Sequence, residues 1–222
     1  MTNGLIKHGT HLSRRALVLF GAIAGTAAAQ HQKIDEKEVI RYERQEVALP
    51  DFPAEGYILD IGGGGEGVIG QLKPKQTIAV DLIKRELEEA PPGPLKIVMD
   101  ARDLKFLDNA IPTITAFYCL MYMAETDHAK VFSEAYRVLA PGGRLLIWEA
   151  NTPRKEAEKK WALFPIMVNL PGKQIKTGYG VPLGDQQHDL AYFSRLGTTA
   201  GFQIVTTRED GRHFFLELLK RP

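Results

Sequence analysis

Three aspartates sit where carboxylates could hold a ligand. Asp60 lies in the apolar run Tyr57-Ile58-Leu59-Asp60-Ile61, Asp81 ends Thr77-Ile78-Ala79-Val80-Asp81, and Asp100 ends Leu95-Lys96-Ile97-Val98-Met99-Asp100. Each run reads as a buried strand, and ligands of open α/β sheets bind outside the carboxyl ends of the strands. Three carboxylates there suit a ligand rich in hydroxyl, amine and amide donors, because unpaired and dry they would be costly. The first run passes into Gly62-Gly63-Gly64-Gly65-Glu66-Gly67. A glycine turn lets a ligand approach the backbone, and the helix start that follows offers free N–H groups. Gly62, Gly64 and Gly67 match G-x-G-x-x-G, and Asp81 follows Gly62 by 19 residues. That spacing also fits a nicotinamide dinucleotide site. Asp60 separates the two readings, because an acid two residues before Gly62 repels a pyrophosphate and suits a cationic ligand.

These residues need a parallel sheet behind them. Ile114–Leu120 reads as a fourth buried strand and Leu145–Glu149 as a fifth. Near-continuous apolar strands separated by helical segments predict a parallel sheet covered on both faces. Helices are predicted over 67–72, 83–89, 127–139 and 188–200, with Val131, Ala135 and Val138 forming the apolar stripe of the third. Strands are predicted over 202–207 and 213–219. Asp210-Gly211 between them is a tight-hairpin signal, so this last pair should be antiparallel.

With Arg137-Val138-Leu139-Ala140-Pro141-Gly142-Gly143 ahead of strand five, the motif set resembles the class I S-adenosylmethionine-dependent methyltransferases. Ile58–Gly64 looks like their first motif, Ala79-Val80-Asp81 the second and Met99-Asp100-Ala101 the third. The resemblance spans roughly residues 55–150, and Ala200-Gly201-Phe202 is similar to the tail of small-molecule members. It implies a Rossmann-like α/β fold: a seven-stranded, mostly parallel sheet with helices on both faces and an antiparallel last strand. It implies S-adenosylmethionine as cofactor and a small-molecule acceptor, methylated by in-line transfer. Asp60, Gly62, Gly63 and Gly64 would hold the methionine part, Asp81 the ribose hydroxyls, and Asp100 with the Ala101 N–H the adenine. Two departures stand out: Glu66 replaces a frequent glycine, and Thr115-Ala116 replaces a frequent acid.

Methyl transfer demands alignment and exclusion of water, and a base only if the acceptor is protonated. Tyr118, Tyr122 and Glu149 are the catalytic candidates, with Asn151 beside them. The ordinary readings are packing for the tyrosines and a cap or an Arg144 pair for Glu149. His128 reads as a solvated helix residue and His188 as a neighbour of a helix cap. Tyr118 before Cys119 excludes the Pro-Cys nucleophile pattern, and no Asn-Pro-Pro-Tyr follows strand four. Residues 151–187 run from a charged, helix-like stretch through an apolar one to a glycine-rich end, and are expected to form a substrate lid or a packing surface.

The whole chain has 222 residues, 28 Lys+Arg against 27 Asp+Glu, and one cysteine. The balance disfavours a nucleic-acid partner, and one cysteine excludes an internal disulfide and a multi-cysteine zinc site; no metal is expected. Residues 1–29 carry Lys7, Arg14 and Arg15, no acid, and the apolar run Ala16–Ala29. They read as a signal peptide of twin-arginine type or a membrane-proximal leader, with a packed helix as the alternative. The run is too short to span a membrane. If the leader functions, the chain is exported or membrane-associated; otherwise it is cytoplasmic. Residues 30–52 read as a linker with a helix over 33–47, and 53–222 as the methyltransferase domain. Two other functions stay open: an NAD-dependent oxidoreductase using the same glycine loop, and a non-catalytic cofactor-binding envelope protein.

Overall fold

The computed structural model describes residues 35–222; the leader lies outside the described residues. Strands β1 (Val39–Arg41) and β2 (Gln45–Ala48) come first, then β3 (Ile58–Ile61), α1 (Val68–Leu72), β4 (Thr77–Asp81), α2 (Lys84–Glu89), β5 (Leu95–Val98) and β6 (Ile111–Phe117). There follow α3 (Glu125–Val138), β7 (Leu139–Ala150), β8 (Trp161–Leu170), β9 (Lys173–Pro182), α4 (Leu190–Thr199), β10 (Gln203–Asp210) and β11 (His213–Leu219).

The main sheet has the order β10-β11-β7-β6-β3-β4-β5. Its strands are parallel from β7 to β5, whereas β11 pairs antiparallel with both β7 and β10. This is the predicted seven-stranded sheet with an antiparallel end, and the β10–β11 turn falls at Gly211-Arg212 as Asp210-Gly211 signalled. Side chains alternate across it. Leu59, Ile61, Leu145, Ile147, Phe214, Leu216 and Leu218 point to the face packed by Val131, Phe132 and Ala135 of α3 and by Tyr192 and Phe193 of α4. Ile58, Leu146 and Trp148 point to the other face. α3 starts with Glu125 and Asp127 in its first turn and ends with Arg137 in its last, charges that match the helix dipole.

The second face departs from expectation. α1 lies on it, but most of its cover is a four-stranded sheet in which β8 pairs with β1 and β2 in parallel on one side and with β9 antiparallel on the other. Among the described residues the helix predicted over 33–47 is absent. A short 3-10 turn, Glu36–Glu38, leads into β1, and residues 39–48 are strands of this sheet rather than a linker. Val47 and Leu49 are fully buried under it. The helix-like charged stretch after Arg154 is loop, and Trp161–Leu170 is a strand that buries Ala162, Phe164, Ile166, Val168 and Leu170 in strict alternation. Both faces of that run are apolar in sequence, so the period of two is hidden. Pro165 sits in mid-strand without penalty: β1 pairs up to Leu163 and β2 begins at Ile166, so the missing N–H falls in the gap.

Candidate active site

The glycine loop is pressed between strand ends. Gly62 has φ +70°, and a Cβ there would run into the Cys119 side chain, whose Sγ donates to the Ile61 carbonyl at 3.0 Å. Gly62 N–H and Gly63 N–H both donate to the Val80 carbonyl, at 2.8 and 3.1 Å, which ties the loop to β4. A Cβ on Gly64 would lie 2.6 Å from Glu86 Cβ and 2.8 Å from Asp81 Oδ2, so α2 and Asp81 leave room for glycine alone.

Two of the three predicted carboxylates face this loop without a cation. Asp60 is buried, accepts a 2.7 Å hydrogen bond from the Thr115 hydroxyl, and is pushed up to about 7 by burial. Thr115, the residue that departs from the family pattern, is thus the partner of Asp60. Asp81 is half-buried, accepts from the Ile83 N–H at 2.9 Å, and is also raised by burial. Asp100 differs. Arg102 holds it through two side-chain nitrogens, at 2.7 and 3.0 Å, and reaches on to Asp127 at 2.8 Å. The guanidinium beside it keeps the Asp100 carboxyl low. Its oxygens are therefore engaged in the fold, and Ala101 lies half-buried in the turn between the ion-paired residues.

The catalytic candidates gather at the ends of β6 and β7. Tyr118 leaves β6 with φ +48°, a left-handed conformation that costs a bulky side chain about 1–3 kcal/mol. Its ring stacks on Tyr179 of β9 at 5.0 Å between centroids. Tyr122 closes the 3-10 turn Leu120–Tyr122 on the same side. The hydroxyl oxygens of Tyr118 and Tyr122 are buried and have no hydrogen-bond partner among the described residues. Burial, with the Glu149 charge second, raises Tyr118, and burial raises Tyr122 well above the ordinary phenol range.

Glu149 is fully buried and does not pair with Arg144, which bonds Glu217 at 3.1 Å instead. Glu149 Oε2 accepts from the N–H groups of Leu120 (2.8 Å) and Met121 (3.3 Å), and Oε1 from its own neighbour Ala150 (2.9 Å). Burial pushes it up to about 7, against those backbone donors. Its geometry is that of a peg holding the turn between the two tyrosines. His128, expected in solvent, is buried: its ring nitrogens meet the Tyr192 hydroxyl and the Leu120 carbonyl, each at 2.9 Å. His188 precedes the α4 cap Asp189 as expected, and lies 5.1 Å from His128 between ring centroids.

β9 lies within the 151–187 segment expected to form a lid or a packing surface, but its strand character and its tie to the glycine loop were not foreseen. Thr177 donates to Glu66 Oε1 at 2.5 Å, and Glu66 accepts through its own carbonyl from Gln71 at 2.6 Å. Glu66, the other departure from the family pattern, thus fastens the glycine loop to the hairpin. The glycine-rich Gly178-Tyr179-Gly180 was the available signal: glycines flanking an aromatic let backbone lie close over a strand end. No cluster of acidic, histidine or cysteine side chains among the described residues could hold a metal.

An open α/β sheet with a glycine loop after its first strand and acids at the next strand ends defines a nucleotide-type ligand site. A family model described as "Methyltransferase domain" matches residues 59–147. The chain is 30% identical over 205 residues to the ubiquinone/menaquinone biosynthesis C-methyltransferase UbiE of Desulfotalea psychrophila, covering 86% of this chain and 78% of the relative. It is 30% identical over 149 residues to the demethylmenaquinone methyltransferase of Symbiobacterium thermophilum, covering 61% and 59%. The fold is shared with S-adenosylmethionine-dependent methyltransferases of Mesorhizobium loti and Methanosarcina mazei, at TM-score 0.53 each, with 14% and 16% identity, 76% and 77% of this chain, and 93% and 94% of theirs.

The chain belongs to the class I S-adenosylmethionine-dependent methyltransferases. It uses S-adenosylmethionine as methyl donor, and neither the nicotinamide oxidoreductase nor the envelope protein finds support in these relatives. The site's donor set fits that cofactor. Asp60 and Asp81 are acceptors without an ion-pair partner among the described residues, beside a loop where a Cβ would not fit, and acceptors of this kind suit the amine and hydroxyl groups of that cofactor.

Proposed function

We propose that this enzyme methylates a ring carbon of a quinol-type aromatic acceptor. The observation that carries the reading is the aromatic cluster at the mouth of the sheet, where Tyr179 of β9 stacks on Tyr118 and Tyr122 lies beside them under the hairpin. Such an aromatic wall suits a flat ring. The similarity to methyltransferases named for ubiquinone, menaquinone and demethylmenaquinone supports it. Asp60, Gly62, Gly63, Gly64 and Asp81 hold the cofactor in this reading, with Ala101 and Asp100 at its adenine end, and Asp100 shares its carboxylate with Arg102.

When bound, the cofactor supplies a methyl group on a sulfonium, an electrophile. An oxidised quinone is a poor nucleophile, so the acceptor is the electron-rich quinol. A ring C–H becomes C–CH3, the sulfonium becomes a thioether, and one proton is released. The protein's part is to orient the ring and exclude water. The β8–β9 hairpin is the wall that does so, latched by Thr177 on Glu66. Glu149 positions the tyrosine turn through backbone bonds rather than acting as a base. No helix among the described residues is long and apolar enough to cross a membrane. The basic, apolar leader serves to hold the domain at a membrane surface, where quinols with apolar tails reside.

The test is methyl transfer from labelled S-adenosylmethionine to a short-chain 1,4-naphthoquinol kept reduced by dithionite. A ring-methylated naphthoquinone after reoxidation is the expected product. An O-methyl ether, or transfer to amines or catechols in preference, overturns the proposal.

A further inference from the structure

Buried polar atoms without partners are uncommon in folded proteins and call for an explanation. Two here are phenols four residues apart, on either side of one turn: Tyr118 Oη and Tyr122 Oη. Phenylalanine at either position would fill the same volume and avoid the desolvation cost of an orphaned hydroxyl. The turn is also held at some expense. Tyr118 has a left-handed backbone, and the buried Glu149 carboxylate gives up water to bond Leu120 and Met121 inside it. Among the described residues neither hydroxyl has a partner at ordinary hydrogen-bond geometry, although the Gly180 backbone lies close enough to act on Tyr122, and the fold fixes both positions.

We propose that Tyr118 and Tyr122 are the acceptor-recognising pair, their hydroxyls donating to an uncharged oxygen on the acceptor's ring and so setting which ring carbon is presented for methylation. The chemical class follows from the surroundings. The raised phenols stay protonated, so they act as donors. Glu149 and Glu66 lie close enough to act on Tyr122, which disfavours an anionic ligand group. The Tyr179 ring stacked on Tyr118 gives the pair an aromatic wall, which suits a planar molecule. A ring carbonyl or phenol oxygen meets all three conditions. The inference rests on the proposed aromatic acceptor only for placing a ring against this wall.

The experiment uses the full chain saturated with S-adenosylhomocysteine, and equilibrium dialysis of two probes: 2-methyl-1,4-naphthoquinone and 2-methylnaphthalene, which lacks the oxygens. The wild-type chain should bind the quinone at least tenfold more tightly than the hydrocarbon. Tyr118→Phe and Tyr122→Phe should each weaken quinone binding roughly tenfold, the cost of one lost hydrogen bond, while hydrocarbon binding stays the same. The double variant should no longer discriminate. Both single variants should melt near or above the wild-type temperature and keep their affinity for S-adenosylhomocysteine, since neither hydroxyl has a partner at ordinary hydrogen-bond geometry among the described residues. Absence of discrimination in the wild type, discrimination that survives in the double variant, or a drop of several degrees in melting temperature overturns the inference. Discrimination lost in the double variant, but without methyl transfer to a naphthoquinol by the wild type, sinks the quinol reading and leaves the tyrosine pair standing. Methyl transfer with discrimination intact in the double variant does the reverse.

Discussion

Asp60 carries two consequences at the scale of a single residue. Its carboxyl ionises near 7 in the fold, against an ordinary value of 3.8. Between those values the folded chain keeps a proton that the unfolded chain releases, so this group's contribution to stability is full below pH 4 and is lost as pH rises towards 7. His188, lowered to about 4, works in the opposite direction over much of that range. The difference between variants is therefore the informative quantity. Asp60→Asn, which keeps an acceptor for Thr115, should gain stability over wild type as pH rises from 5 to 8, by at most a few kcal/mol at about 1.4 kcal/mol per unit. Denaturant melts across that range read it, and parallel curves would refute the buried-carboxyl argument. The same protonation should weaken the attraction for a ligand ammonium. S-adenosylhomocysteine affinity should fall from pH 8 to pH 6 in the wild type and stay flatter in Asp60→Asn. Asp81 has a simpler role. Asp81→Ala should cost about 1–3 kcal/mol of S-adenosylhomocysteine binding by calorimetry, with the fold intact.

At the scale of elements, the contact between the glycine loop and α2 decides what a substitution does. From the sequence, a side chain at Gly64 is expected to block the ligand and spare the fold. The structure places Glu86 Cβ and its backbone carbonyl carbon within 3.0 Å of where a Gly64 Cβ would lie. A backbone-proximal neighbour cannot swing away, so α2 itself must shift. Gly64→Val should therefore lose cofactor binding and melting temperature together, by several degrees in a differential scan. Full stability with binding abolished would show that α2 yields freely. The charged end of α3 follows the same logic: Arg137 bonds Glu134 and Asp108 and the carbonyls of Leu104 and Phe106. The motif before β7 is thus a clamp on the loop that enters β6.

For the whole molecule, the second sheet changes where the folded unit begins. β1 and β2 lie before residue 53, yet they pair with β8 and bury Val47 and Leu49 against the main sheet. A chain begun at Gln30 should fold and bind S-adenosylhomocysteine as the full chain does. A chain begun at Asp51 loses both strands and two buried side chains worth about 1.5–3 kcal/mol each, out of a total of about 5–15. Its melting temperature should drop by ten degrees or more. Equal stability of the two shortened chains would mean that the second sheet is an ornament on the fold.

The sequence by itself determined the main sheet and the meeting of two carboxylates with the glycine loop. β4 and β11 match their predicted ends, and the strand ends carry Asp60 and Asp81 to the glycine loop as their spacing required. Those features are local: a buried parallel strand is a continuous apolar run, and a glycine turn is written in consecutive residues. The second sheet, the partner of Asp100 and the burial of His128 were decided by tertiary structure. Val39–Arg41 becomes a strand only because β8 offers it an edge 122 residues away, and Asp100 is occupied only because Arg102 turns back to it while reaching Asp127 on α3. Pairing partners and the desolvation of a titratable group depend on what the rest of the chain brings alongside, and no local pattern of residues encodes that.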